Sequence, residues 1–386
     1  RHYGYGEWDM CATRYGDDAE RGYRIEVQRL RVGDGVVHAC PPQSQLNDVR
    51  STDYDGHLHM YKYNFGEQAH VEASRGRITL YNNTSIDSHA NFVVSGGIVT
   101  VLSSTDIGHN ATIAISSGEL DLQTDMQPVL SFVTTGGTFR GSAGIDVQDP
   151  HVFTWSGGYL RMTNNVTLNT TNALISGSYK YMRNGGSIIN YKVLDWTMYY
   201  ALYLGDNSKV INTAGGTMNF INRRTNRDAS IENWVSGQQA LVTHGFINAG
   251  SVYVDNGYGR TLTFRTRFHQ RRGARVMIEA NTRVVMSERY GVGGGELDGS
   301  FFMSNNTLLQ TTSSYQFYTT FYDADADANA AGIFAHADGS PCFNCDVQFN
   351  AYGNIDMCGA ARRFDGDTPR GYAFEATGLR TGDADV

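Results

Sequence analysis

The 386 residues are enough to bury a large continuous core. There are 44 Gly and 23 Tyr against 6 Pro, and charged residues make up only 18%, so Asn, Ser, Thr and Gly carry the polarity. The composition argues against long helices and for strands and turns throughout. The net charge of −8 comes without a block of either sign, which excludes a nucleic-acid footprint, and no apolar run approaches the ~18 residues of a membrane span.

The chain opens at Arg1 with neither Met nor a signal-like apolar region, so the sequence reads as a processed or excerpted piece. Residues 1–69 read as a leading cap or joint: 23–27 and 35–38 look like strands, and Cys11 and Cys40 are placed to tie them. His57 and His59 share a face if their segment is a strand. With no third ligand near them they read as surface polar residues.

Residues 70–312 read as a repetitive body. A Ser/Thr-Gly step recurs at Ser95-Gly96-Gly97, Ser117-Gly118, Thr135-Gly136-Gly137, Ser156-Gly157-Gly158 and Ser176-Gly177. The last glycines, Gly97, Gly118, Gly137, Gly158 and Gly177, recur with a period of about 20 residues. Apolar residues alternate on both sides, as in Ile113/Ile115 then Leu120/Leu122 and Phe153/Trp155 then Leu160/Met162, which is strand, corner, strand. A unit of about 20 residues cannot bury its own inward face, but stacked units can. The expected fold is therefore an all-β parallel β-helix, or β-solenoid, with coils of about 20 residues, rather than a propeller or sandwich. The longer glycine intervals after Gly186 and Gly216 read as coils carrying insertions.

Residues 313–386 form a trailing segment with Cys342, Cys345 and Cys358. Cysteines at both ends and none between suit disulfides stapling the ends, and the odd number leaves one thiol free or paired with another chain. Cys342-Phe343-Asn344-Cys345 resembles half a zinc or redox motif, but no second pair completes it. Sequons at Asn82, Asn83, Asn110, Asn165, Asn169 and Asn305 add N-linked glycans to the expectation, and with the cysteines they point to an extracellular or cell-surface location.

Three other clusters bear on chemistry. Asp87, Asp106, Asp125 and Asp146 recur at the same interval as the glycines, with Asn165 next. The spacing predicts a stacked column, either a polar corner ladder or a cation face on Asp106, Asp125 and Asp146, for which Ca²⁺ is the cation. Residues 323–329 echo the start of a calcium loop, but Ala328 and Phe334 stand where Gly and Glu belong, so a solvated acidic loop is expected. Trp155, Trp196, Tyr199, Tyr200, Tyr203, Trp234 and Phe246 divide between core filling and a sugar-stacking face. The arginines Arg265, Arg267, Arg271, Arg272 and Arg275 read as solvated strand edges rather than a polyanion site.

In residues 153–300 the carrying phrases are Phe153-Thr154-Trp155-Ser156-Gly157-Gly158, Asn212-Thr213-Ala214-Gly215-Gly216-Thr217, Phe246-Ile247-Asn248-Ala249-Gly250-Ser251-Val252 and Gly294-Gly295-Glu296-Leu297-Asp298-Gly299. They resemble the Gly/Thr/Asn-rich β-solenoid regions of secreted adhesins, autotransporter passengers and large algal or protist surface-appendage glycoproteins. The resemblance implies an extracellular scaffolding or adhesive role with no catalytic residues to carry over. The sequons and cysteine-bearing ends favour a eukaryotic appendage glycoprotein, with flagellar hairs as one example. The expected function is thus structural and not enzymatic, with self-assembly into a filament or coat. The alternative is a carbohydrate-binding or carbohydrate-active β-helix, a polysaccharide lyase or glycosidase, using the aspartate face with Ca²⁺.

Overall fold

The computed structural model describes residues 7–9, 29–32, 36–39, 45–51, 56–60, 64–81, 85–86, 88–102, 106–108, 110–124, 126–222, 227–234, 245–256, 260–279, 281–287, 295–297, 299–303, 308–311, 315–317 and 346–349. Among these residues there are strands and turns and no helix. The strands pair in parallel, each with a strand one coil further along the chain. The protein is an all-β parallel β-solenoid. It divides into two compact units, Arg1–Ala173 and Leu174–Val386.

In Arg1–Ala173, one side of the coil is built by Glu7–Asp9, Val36–Ala39, His57–Met60, Arg77–Leu80, the second halves of Asn91–Val101 and Ala111–Leu122, Thr138–Gly141 and Tyr159–Met162. The residues Val36, His57, Arg77, Ile98, Glu119, Thr138 and Tyr159 align in one column. Their numbers advance by about 20 residues at each step, so the period read from the glycines is the coil length. A second side is built by Gln45–Ser51, Asn64–Ala73, the first halves of Asn91–Val101 and Ala111–Leu122, Met126–Thr134 and Ile145–Trp155.

Strand parity decides what lies inside. Along Asn91–Val101 the residues Phe92, Val94, Val99 and Val101 are buried and their neighbours are not. Register converts this into columns. Leu58, Ile78, Val99, Leu120, Phe139 and Leu160 stand one above another, as do Val49, Val71, Phe92, Ile113, Phe132 and Phe153. All are fully buried, and each contributes about 1.5–3 kcal/mol relative to exposure. Phe132 lies flat on Phe153 (5.4 Å, 9°) and meets Phe139 edge-on at 5.3 Å.

Between these two sides runs the glycine corner. Gly118 has φ +78°, and a Cβ on it would lie 2.1 Å from the Gly97 carbonyl oxygen of the preceding coil. Gly158 has φ +86°, and its Cβ would lie 2.4 Å from the Gly137 oxygen. Only a residue without a side chain lets successive corners approach this closely.

In Leu174–Val386, Lys180 aligns with Leu202, Ser187 with Lys209, Gly245 with Arg267 and Thr261 with Arg283. Each of these steps is again a coil of about 20 residues. The coil lengthens by roughly ten residues or more where Lys209 aligns with Gly245, Thr217 with Ser251 and Ala229 with Leu262. The insertion expected after Gly216 is therefore present, whereas the one expected after Gly186 is not. Gly186 precedes Ser187, which aligns with Lys209, and Gly216 precedes Thr217, which aligns with Val193, so the two glycines belong to different corners.

Parallel coil pairing also reaches outside 70–312. Glu7–Asp9 already pairs with Val36–Ala39, and Leu308–Thr311 pairs with Asp346–Phe349. The segments read from sequence as a leading piece and a trailing piece thus contain strands in parallel pairing, at Glu7–Asp9 and Asp346–Phe349. All five cysteines, and residues 323–329, lie outside the described residues.

Candidate functional site

The most highly organised polar structure is a ladder of buried amides in Leu174–Val386. Asn190, Asn212 and Asn248 end three successive strands in register, and all are fully buried. Asn190 Nδ2 donates to Asn212 Oδ1 at 2.9 Å, and Asn212 Nδ2 donates to Asn248 Oδ1 at 2.9 Å. The amides also hold the chain at the turn: Asn190 donates to Thr217 O (3.0 Å), Asn212 to Ser251 O (2.9 Å) and Asn248 to Arg275 O (3.2 Å). Gln270, next in register, continues the column by donating to Ala274 O at 3.1 Å. A primary amide both donates and accepts, so identical residues can chain, each Oδ1 within the ladder accepting from the amide before it, while Asn190 Oδ1 at the ladder's end is buried without a partner. The sequence carried a signal for this: each Asn ends a triplet with an apolar residue two positions earlier, Ile188, Val210 and Phe246. The two steps of the ladder differ in length, because the second spans the lengthened coil, and this hid it from a search for fixed periods.

Of the expected aspartate column, Asp106 and Asp146 are the described members. Asp106 stands opposite Ser85, and Asp146 stands opposite Thr167, just beyond Asn165. Asp87 and Asp125 lie outside the described residues. Asp146 instead accepts from Gln148 Nε2 of its own strand at 2.6 Å. Other lateral carboxylates bridge coils through ion pairs: Glu72 with Arg50 at 3.1 Å, Asp121 with Arg140 at 3.4 Å and Glu232 with Arg265 at 3.2 Å. Among the described residues no group of three His, Cys, Asp or Glu side chains could hold a metal ion.

His57 and His59 do share the outward face of one strand, with ring centroids 6.1 Å apart, and His59 Nδ1 is 3.0 Å from the Tyr81 hydroxyl of the next coil. Arg265, Arg267, Arg271, Arg272 and Arg275 are all exposed, but they follow one coil around successive sides instead of gathering on one face. Of the sequons, Asn110, Asn165 and Asn169 occupy positions that are not buried, and Asn82, Asn83 and Asn305 lie outside the described residues.

The aromatic candidates separate cleanly. Trp155, Trp196 and Phe246 are core residues at 0–1% exposure. Tyr199, Tyr200, Tyr203 and Trp234 are only partly covered, and Tyr179 and Tyr181 join them. Tyr181 aligns with Tyr203 on adjacent strands, and the rings stack at 4.9 Å. Tyr179 stacks on Tyr200 at 4.5 Å and 12°, and both Tyr181 and Tyr203 meet Trp234. Arg227 caps Tyr200 at 4.5 Å, and Arg183 lies 5.4 Å from the Trp234 ring.

Beside this cluster, Lys180 occupies an inward position aligned with Leu202 and is fully buried, with Nζ donating to Ser178 O at 3.0 Å. Desolvation lowers its pKa from 10.5 to about 8. The folded state thus releases the proton at lower pH than the unfolded chain. The charged form's penalty is present in full below pH 8, and stability rises as pH increases from about 8 to 10.5. Lys180→Met is expected to stabilise the whole chain by roughly 2–3 kcal/mol at pH 7 and to flatten that rise. Urea midpoints measured across this range check both.

Comparison with known proteins finds no matching family model, no similar curated protein and no similar solved structure.

Proposed function

We propose that the chain is a structural extracellular glycoprotein, a subunit of a surface filament, fibril, appendage or adhesive coat, with flagellar hairs as one example. The observation that carries this reading is where the polar residues are used. The buried amides of Asn190, Asn212 and Asn248 join coil to coil, and the ion pairs of Glu72, Asp121 and Glu232 also bridge coils. A glycosidase or lyase would need carboxylates converging on one face, whereas in register Asp106 stands opposite Ser85 and Asp146 opposite Thr167. The partly exposed sequons Asn110, Asn165 and Asn169 are accessible to N-linked glycans.

Negative-stain electron microscopy of the native secreted material, with glycosidase and calcium-chelator treatments alongside, tests the reading. Regular filaments that survive chelation are expected, with a mass loss on deglycosylation. Dispersed monomers that depolymerise an acidic polysaccharide only when calcium is present would overturn it.

A further inference from the structure

Six aromatic side chains of Leu174–Val386 make one continuous chain of ring contacts, from Tyr199 through Tyr200, Tyr179, Tyr203 and Tyr181 to Trp234. Core packing does not explain it, because Tyr179 keeps 47% of its surface exposed and the other five are only partly buried. At Tyr200 sugar stacking is disfavoured as well, since that needs an open ring face. One face of Tyr200 is covered by Tyr179 at 4.5 Å, and the Arg227 guanidinium lies over the ring at 4.5 Å. Tyr203 is contacted by Tyr179 at 6.1 Å and by Tyr181 at 4.9 Å. What a ring keeps open once its faces are taken is its rim, which carries the phenol oxygen and the carbons ortho to it.

Tyr200 adds an independent observation. Its φ is +71°, in the left-handed region, where a residue with a bulky side chain costs about 1–2 kcal/mol. Its amide nitrogen donates to Asp228 O at 3.0 Å, and the ring sits between Tyr179 and Arg227. A glycine would adopt this backbone without strain. The fold instead places a phenol there, one coil further along the chain from Tyr179 and against it, and Tyr179 is the most exposed tyrosine of the cluster. Strain of this kind persists only where surrounding contacts over-determine it, and it concentrates at functional positions.

We propose that Tyr179 and Tyr200 are an oxidative modification site, at which a haem peroxidase with hydrogen peroxide closes a dityrosine bond between two successive coils. The peroxidase removes one electron and one proton from each phenol, leaving two tyrosyl radicals. A carbon–carbon bond forms between their ortho positions, and each ring regains aromaticity as the hydrogen on the coupled carbon moves to oxygen. In total two hydrogen atoms leave the protein, and the peroxide takes them up to give two waters. Tyr179 is the more exposed ring, and Tyr200, itself partly exposed, is already held against it, so both phenols can be oxidised in place. The bond would be a covalent staple of the kind the described coils otherwise lack, and it rests on the extracellular reading only for the supply of peroxidase and peroxide.

The test uses the purified whole chain, dilute enough to disfavour encounters between molecules, with peroxidase and hydrogen peroxide. The expected result is dityrosine fluorescence on a monomer whose intact mass has fallen by two hydrogens, and a cross-linked peptide pair containing Tyr179 and Tyr200. Tyr179→Phe and Tyr200→Phe keep the ring contacts but remove the phenol, and each should abolish that product. Tyr191→Phe should leave it intact, although Tyr191 is 46% exposed, because no ring contact holds a partner against it in the chain above. Persistence of the product in Tyr179→Phe, coupling mapped to Tyr191, or cross-links formed only between molecules would overturn the proposal. None of these outcomes depends on whether native filaments are found, so the staple and the structural reading can fail separately.

Discussion

Gly118→Ala is expected to destabilise the whole chain by about 3–4 kcal/mol, read as a drop in the urea midpoint at unchanged slope. Two costs combine. At φ +78° any L side chain is strained, worth about 1–2 kcal/mol. The new Cβ would also lie 2.1 Å from the Gly97 oxygen and 2.9 Å from the Gly96 carbonyl carbon, which are backbone atoms that cannot swing away. Forcing the neighbouring corner aside adds about 1–3 kcal/mol. Gly273→Ala is the control that separates the terms, because Gly273 shares the conformation (φ +79°) but has nothing within 4 Å of its would-be Cβ. It should cost only about 1 kcal/mol. Equal losses at the two positions would show that conformation alone matters and that corner stacking contributes nothing.

Asn212→Leu carries the second large effect, about 3 kcal/mol or more. Asn212 is the middle amide of the ladder and hydrogen-bonds to Asn190 Nδ2, Asn248 Oδ1 and Ser251 O. Leucine has similar size but makes none of these bonds, and each buried group left short of a partner costs about 1–3 kcal/mol. The loss is moderated because Asn190 still reaches Thr217 O, and Asn248 Oδ1 still accepts from Gly250 N. Asn219→Ala, which removes a single part-buried bond to Asp195, should cost about 1 kcal/mol or less. Asn212→Asp gives a sharper signature. A carboxylate there would face the oxygens of Asn248 and Ser251, so it should be worse than Leu at neutral pH and recover in acid, when the protonated group can donate again. Denaturation midpoints of the three variants at neutral and acidic pH check this ordering.

Period and parity were the legible part of the sequence. Gly97, Gly118, Gly137 and Gly158 announced the corner because a close approach of backbones excludes every other residue. Alternation such as Phe153/Trp155 announced the inward face because strand geometry leaves no other choice. Register across a corner was not legible. The aspartate column assumed that a fixed distance from the glycine means a fixed place in the coil. The ladder between Met126–Thr134 and Ile145–Trp155 shifts register twice, between Met126/Val129 and Val129/Ser131, so residues are absorbed without changing the coil-to-coil period. The aromatic division was half legible. Trp196 shares a strand with Leu194 at the same parity and had to be buried, and Tyr199 continues the outward parity of Val193, Asp195 and Thr197, whereas Tyr200 sits part-exposed at a left-handed φ that its residue type gives no reason to expect. The amide ladder was present in the spelling of three triplets, but a side-chain chain of that kind becomes visible only when strand ends are superimposed.

The near-constant coil of Arg1–Ala173 also has a mechanical meaning. From Val36 to Tyr159 the aligned positions recur once per coil without a break, and among the described residues these strands pair with the coil before and the coil after. A pull on a chain end therefore loads the hydrogen bonds of one coil at a time, not those of the whole unit together. Each coil that yields releases about 70 Å of thread, for about 20 residues at ~3.5 Å apiece. Under tension this part of the protein lengthens in nearly equal increments, a molecular ratchet of slack that absorbs work while the remaining coils stay wound.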